Sequence, residues 1–229
     1  SASEIFAGAI QDYQRGIIIG QKTFGKGTVQ KLDNLSSGQI KITESKFYRI
    51  TGAGMQSKGI HPDITLPSTW DIEEIGESSF DTALPWDEIQ PVSFQKFSID
   101  DSLFSQLNDQ HLIRVSQSPN LQYILDIRKR YEIQKNKDAL SLNLTSRRIE
   151  KKERQAWALD IENKRRSSLN LEIFSSYNAM QDYNDDKETE VDEQDSEIDV
   201  DNDYLLNEGV QILSDFIIIN GNIYFSKAA

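Results

Sequence analysis

The chain has 229 residues, enough for one large domain or two small ones, and its 37 acidic and 25 basic side chains give a net charge of −12. This acidity argues against a nucleic-acid-binding protein, which needs a net basic surface, and against docking on anionic lipid. The sequence has no cysteine, which excludes disulfide bonds and thiolate metal sites.

The first segment has apolar side chains near helical spacing, which predicts an amphipathic helix over residues 3–15 that ends at Gly16. Ser1 and Ser3 are residues that cap helices well, and the negative charge of Glu4 suits the positive end of the helix dipole. The chain therefore opens on a helix with a serine at its start.

A short run of β-branched residues, Ile17 to Ile19, follows the helix and is typical of a strand buried on both faces. A glycine-rich loop, Gly20–Gly27, comes next. Three segments with alternating polar residues then predict strands at 28–33, 38–45 and 47–51, and a further extended piece is predicted at 59–64. Helix and strands together predict an α/β or α+β fold for residues 1–66.

The remainder of the chain reads as a linker at 67–94 and a mostly helical domain at 95–229. Its predicted helices are 101–116, 119–134, 146–168 and 204–216. Residues 182–203 hold 12 acids against one lysine, and such a run predicts a disordered loop. The spacing of Asp199, Asp201 and Asp203 begins like an EF-hand loop, but the glycine and glutamate that the loop requires are missing.

Ser1 and Lys26 are the residues that could carry chemistry. A serine at a helix start lies where backbone N–H groups and the helix dipole favour a developing negative charge, but its hydroxyl needs a base. A lysine can be that base only when uncharged, which requires an apolar site that lowers the pKa of its amine. The plain alternative is a serine that caps a helix and a lysine in a surface loop. On the residues alone, this alternative stays open.

Two other enzyme or binding classes are compatible with parts of the pattern. Gly20, Gly25 and Lys26 make up most of a phosphate-binding P-loop, but Gly27 stands where a Ser or Thr must reach magnesium, and the next segment looks like a strand. A chain that begins with serine could be an N-terminal nucleophile hydrolase, although those folds begin with strands. The two histidines, His61 and His111, lie outside any ligand-spaced cluster, and no metal or cofactor is expected.

The segments around both candidate residues resemble the C-terminal processing (tail-specific) serine peptidases, most of all the bacterial tail-specific branch. The resemblance rests on Ser1-Ala2-Ser3-Glu4-Ile5 and on Gly20 to Gln30, and its two motifs are 25 positions apart from Ser1 to Lys26. It continues through Lys46–Ile50, Lys58–Ile64 and Ala83–Asp87. Residues 1–90 match closely, and residues 91–215 look more loosely like the helical C-terminal domain of that branch.

The resemblance implies a role for each matching residue: Ser1 is the nucleophile, Lys26 the general base, Gln30 a residue that orients the lysine, and Asp12 a member of the charge relay. Because Ala2 follows the nucleophile, its N–H is a candidate oxyanion donor. Asp12 could equally form a structural ion pair.

The resemblance further implies an endopeptidase that cleaves protein substrates near their C-termini in the periplasm, with an adaptor or peripheral membrane association. It implies that this chain is a fragment starting at the catalytic serine, without the upstream PDZ-like module and the second oxyanion donor, and inactive alone. The competing expectation is an inert binding or scaffold fragment that contacts an adaptor.

Overall fold

The computed structural model describes residues 1–97, 99–193 and 203–227. They divide into two compact units, residues 1–109 with 215–229, and residues 110–214. The first unit contains the small sheets and the second is helical, which confirms the predicted fold class of an α/β or α+β part followed by a mostly helical part. Among the described helices, none combines the length and the hydropathy needed to cross a bilayer.

The first unit begins with helix α1, Ala2–Asp12, for which Ser1 is the N-cap. Strand β1, Ile19–Gly20, pairs in parallel with β4, Ile64–Thr65. Strands β2, Thr28–Asn34, and β3, Gln39–Lys46, form an antiparallel hairpin with a register shift after Val29. Because β1 has a single partner strand and Ile19 is 37% exposed, the expected burial of residues 17–19 on both faces is not found in the described residues.

Residues 67–94, expected as a linker, hold helix α2, Ile72–Ile75, and a 3₁₀ turn, Glu77–Ser79. This segment is tied to the residues before it: the Ile89 N–H donates to the Gly52 carbonyl and the Val92 N–H to the Ile50 carbonyl, at 2.8 and 3.0 Å. Residues 47–51 form no strand and contribute one β-bridge, from Tyr48 to Gly54.

Where the structure describes it, the helical unit contains five helices, of which the first and the last extend beyond it: α3, Asp101–Gln117; α4, Pro119–Lys135; α5, Leu144–Ser168; α6, Tyr177–Glu193; and α7, Tyr204–Lys227. Helix α6 corrects the predicted acidic loop over 182–193. Met180, which is buried, lies in the first turns of α6, and the exposed residues 181–186 after it extend a helix that is already formed, which costs less than starting one. Residues 194–202, with most of the EF-hand-like spacing, lie outside the described residues.

Candidate active site

Residues Thr23–Gly27, called the base loop here because the sequence predicts Lys26 as a general base, are held against the start of α1 by one buried carboxylate. Glu4 is 4% exposed, and its Oε1 accepts hydrogen bonds from the Gly25 N–H at 2.7 Å and from the Thr23 hydroxyl. Its Oε2 accepts from the Ser1 amine at 2.8 Å and from the Lys26 N–H at 3.0 Å. Since the Ser1 and Lys26 nitrogens bind the same oxygen, the structure brings these two backbone positions together.

The donors around Glu4 also set its protonation. Burial alone raises the pKa of a carboxyl group, but hydrogen bonds from the Ser1 ammonium, Thr23 and Gly25 outweigh this effect and lower the pKa of Glu4 below its usual 4.5. Glu4 is therefore ionised at neutral pH. The sequence indicated Glu4 only as a partner of the helix dipole, although the Ser-x-x-Glu spacing is also that of a capping box.

Lys26 is half-buried, and its amine faces neutral oxygens. Nζ donates to Thr28 Oγ1 at 3.2 Å and to Gln30 Oε1 at a longer 3.4 Å. Thr28 and Gln30 are alternate residues of β2, and the Gln30 amide also donates to Thr43 at 3.3 Å. Among the described residues no carboxylate lies within ion-pair distance of this amine, and no hydrogen bond joins it to Ser1.

Ser1 is about half-exposed, at 48%, so its hydroxyl has access to a ligand. Ala2 is the first residue of α1, and the first N–H groups of a helix have no acceptor within the helix. The structure thus places the Ala2 N–H directly beside Ser1 at the positive end of the α1 dipole.

Asp12 lies at the other end of α1 from Ser1, about 16 Å along the helix at 1.5 Å per residue. It is buried, and both of its oxygens accept hydrogen bonds from Arg49, with Nε at 2.9 and 3.0 Å. Asp12 and Ser1 therefore lie far apart along α1. Its catalytic role stays a prediction, while the ion pair is observed.

Gln56 and Glu77 support the base loop from its other side, and sequence reasoning missed both. Gln56 is 1% exposed, and its Oε1 accepts from the Gly27 N–H at 2.9 Å. Its amide donates to Glu77 Oε1 at 2.9 Å. Because these contacts join residues far apart in the chain, no local spacing could have revealed them.

The P-loop alternative requires a helix N-terminus after Lys26 to hold phosphate. The segment that follows is strand β2. Among the described residues no three His, Asp or Glu side chains are grouped as metal ligands would be.

Two family models match the chain. Residues 1–66 match peptidase family S41, and residues 70–218 match the C-terminal domain of tail specific protease. The whole chain is 35% identical to the tail-specific protease of Haemophilus influenzae and spans 32% of its length.

The similarity of the first part extends to shorter relatives. Over 67 residues, 29% of the chain, it is 46% identical to a probable CtpA-like serine protease of Staphylococcus epidermidis and to the carboxy-terminal-processing protease of Bartonella bacilliformis, of which it covers 14% and 15%. A solved photosystem II D1 C-terminal processing protease is 35% identical over 36% of the chain and 23% of that protein, with a TM-score of 0.27. By the match over residues 70–218, joined to the peptidase match before it, this chain belongs to the tail-specific protease family.

Proposed function

We propose that the chain carries the nucleophile, Ser1, and the general base, Lys26, of a serine endopeptidase that cleaves proteins near their C-termini. The observation that supports this most is the shared Glu4 oxygen, which holds the backbone of both residues. The partners of the Lys26 amine add to it, because Thr28 Oγ1 and Gln30 Oε1 position this amine by hydrogen bonds and not by an ion pair.

In this mechanism the uncharged Lys26 amine takes the proton of the Ser1 hydroxyl as the oxygen attacks a peptide carbonyl. The Ala2 N–H donates to the oxyanion that forms, and Gln30 orients the amine. The Lys26 ammonium then gives its proton to the leaving amine, which leaves an acyl ester on Ser1. A water molecule, deprotonated by Lys26, hydrolyses that ester and restores the serine.

The substrates, partners and location of the whole enzyme belong to the same proposal. The tail-specific and processing proteases named above indicate protein substrates with accessible C-termini. The resemblance of the sequence supports a periplasmic setting, with an adaptor or a peripheral membrane contact. No cofactor is needed for the proton transfers described.

Peptide cleavage tests the assignment. Residues 1–229 are joined to the region of the Haemophilus relative that the chain does not span, and cleavage of a protein with an exposed C-terminus is measured. Lys26→Ala and Ser1→Ala are each expected to lower kcat/KM by at least 10³-fold, in the range of removing an essential catalytic group. Lys22→Ala, a neighbouring lysine paired with Glu73, serves as the control. Cleavage that survives Lys26→Ala contradicts the serine–lysine mechanism.

A further inference from the structure

The Gln56 side chain bridges the base loop and the 3₁₀ turn that follows α2. It accepts the hydrogen bond of the Gly27 N–H, and its own amide group donates to Glu77 Oε1, each at 2.9 Å. The Glu77 N–H also donates to the Phe24 carbonyl at 2.7 Å. Glu77 thus contacts the base loop twice, once directly and once through Gln56.

The orientation of the Gln56 amide is fixed by its neighbours. The Gly27 N–H can only donate, so the amide oxygen must face it and the NH₂ group must face Glu77. A carboxylate at position 56 would keep the bond to Gly27 but would place a second negative oxygen against Glu77. Position 56 therefore requires both an acceptor toward Gly27 and a donor toward Glu77, and a side chain of the same size without the donor does not replace glutamine.

The backbone of Gly27 lies tight against the backbone of Gln56. A β-carbon on Gly27 would lie 2.4 Å from the Gln56 backbone nitrogen, closer than atoms can approach. A shift of Gln56 toward the loop must therefore displace Gly27, and Lys26 is its direct chain neighbour. In a packed interior such a displacement is transmitted and not absorbed.

We infer that Gln56 and Glu77 are positioning residues for the general base: they hold the loop from which the Lys26 amine reaches Thr28 and Gln30. Glu77 lies in the part that matches the C-terminal domain of tail specific protease, so this domain contributes a residue that sets the position of the base. The inference rests on the proposed function, since it gives Lys26 the role of base.

The test exchanges the amide and carboxylate of residues 56 and 77 and measures the reactivity of the Lys26 amine. The pH profile of trace acetylation is measured for each lysine of residues 1–229 by mass spectrometry. Gln56→Glu is expected to change the rate at Lys26 at least fivefold, because the two carboxylates repel and Gly27 shifts. The double variant Gln56→Glu with Glu77→Gln is expected to return the rate to within twofold of the wild type, since the amide introduced at position 77 can donate to the new carboxylate.

Gln11→Glu is the matched control, because Gln11 donates to Asp63 Oδ1 at 2.8 Å in the same unit but away from the base loop. It places a second carboxylate against Asp63, beside Arg49, whose Nη2 donates to Gln11 Oε1 at 2.9 Å, and the Lys26 rate is expected to stay unchanged. A Lys26 rate that is the same in Gln56→Glu as in the wild type overturns the inference, as does a double variant that does not recover.

The same variants in the joined, cleaving enzyme separate this inference from the proposed function. If Gln56→Glu lowers kcat at least tenfold and the swap restores it, Gln56 and Glu77 act through the base. If the wild type cleaves and both variants cleave equally well, the peptidase assignment stands and the inference is wrong. If Lys26→Ala cleaves like the wild type, the proposed function fails first, whatever Gln56 does.

Discussion

Four donors surround the Glu4 carboxylate, and they come from two separate parts of the chain, the start of α1 and the base loop. A buried group of this kind is expensive to alter, because each donor that loses its acceptor stays in the interior without a partner. The amide of a glutamine has one acceptor oxygen, and its NH₂ group would meet N–H groups that also donate.

We expect Glu4→Gln to lower the free energy of unfolding by about 2 kcal/mol, as unmatched buried donors do. Urea titration of residues 1–229, followed by far-UV circular dichroism, measures this value. Glu44→Gln, an exposed change of the same kind on β3, is expected to stay within about 0.5 kcal/mol of the wild type.

The Glu4 effect should also depend on pH in one direction. Since the folded protein lowers the pKa of Glu4 below 4.5, its ionised form stabilises the fold fully above that pH. The contribution is lost as the pH falls through the folded pKa. The difference between the wild type and Glu4→Gln is therefore expected to be largest near neutral pH and to shrink in acid. If the difference in the free energy of unfolding between the two proteins increases below pH 4.5, the ionised form of Glu4 is not the stabilising one.

Two roles are considered for Asp12, and they predict a loss of stability in one case and a loss of cleavage rate in the other. As a partner of Arg49, it should affect stability: Asp12→Asn is expected to lower the free energy of unfolding by about 2–3 kcal/mol, the range for a hydrogen bond to a charged group. As a member of a charge relay, it should affect the cleavage rate with the fold intact. Its distance from Ser1 along α1 favours the first outcome.

An exposed ion pair serves as the control for the stability effect of Asp12→Asn. Asp33→Asn, in the pair that Lys31 and Asp33 form at 3.1 Å, should change stability by less than about 1 kcal/mol. Asp12→Asn with wild-type stability and at least a hundredfold lower kcat in the joined enzyme would return Asp12 to the catalytic group.

At the scale of elements, a comparison of two glycines distinguishes the effect of backbone strain on stability from the effect of packing. Gly25 in the base loop and Gly38 in the hairpin turn have nearly the same dihedral angle, φ of +89° and +88°. A β-carbon on Gly25 would lie 3.0 Å from the Ser57 carbonyl carbon, whereas one on Gly38 would meet nothing within 4 Å. The two positions thus differ in their surroundings and hardly in φ.

Gly38→Ala is expected to lower the free energy of unfolding by about 1 kcal/mol, through left-handed backbone strain alone. Gly25→Ala adds a steric clash, and its total is expected at about 2–4 kcal/mol. Urea titration measures both. Equal losses would mean that the loop yields freely to the added methyl group, which contradicts the tight packing described for the base loop.

Sequence periodicity is sufficient for the elements whose structure is local. Helix α4, predicted over 119–134, runs Pro119–Lys135, and the hairpin forms close to its predicted strands at 28–33 and 38–45. Helix α6 cannot be predicted in this way, since its acidic side chains suggest a loop, and Met180, the residue of α6 that is buried among the side chains the structure describes, lies ahead of them. Extending a helix that is already formed costs less than starting one, so composition alone does not decide where α6 ends.

The same difference between local patterns and long-range contacts applies to the candidate site. Motifs in single stretches of chain identify Ser1, Lys26 and Gln30, and the Glu4 bond to Ser1 follows from helix-cap spacing. The contacts that hold the base loop join residues that are 21 positions apart, from Glu4 to Gly25, and 29 positions apart, from Gln56 to Gly27. Such pairs form only when the whole unit folds, so no pattern in one sequence reports them.

At the scale of the whole molecule, the helical unit relies on buried charge as well as on apolar packing. His111 and Glu208 are 1% and 6% exposed, and His111 Nδ1 lies 2.8 Å from Glu208 Oε1. Arg114 Nε donates to the same carboxylate at 2.9 and 3.2 Å. One side chain of α7 therefore joins two residues of α3, at a separation of almost a hundred positions in the chain.

We expect Glu208→Gln to lower the free energy of unfolding by about 2–3 kcal/mol, because the glutamine loses the charge that accepts the hydrogen bonds of Arg114 Nε at 2.9 and 3.2 Å, and such bonds to a charged group are among the stronger ones. Urea titration followed at 222 nm, which reports helix, measures the loss. Glu132→Gln, in the exposed pair with Arg128 on α4, should change stability by at most about 0.5 kcal/mol. Similar losses in both variants would show that the buried cluster contributes no more than a surface pair, and the helical unit would then depend on its apolar contacts alone.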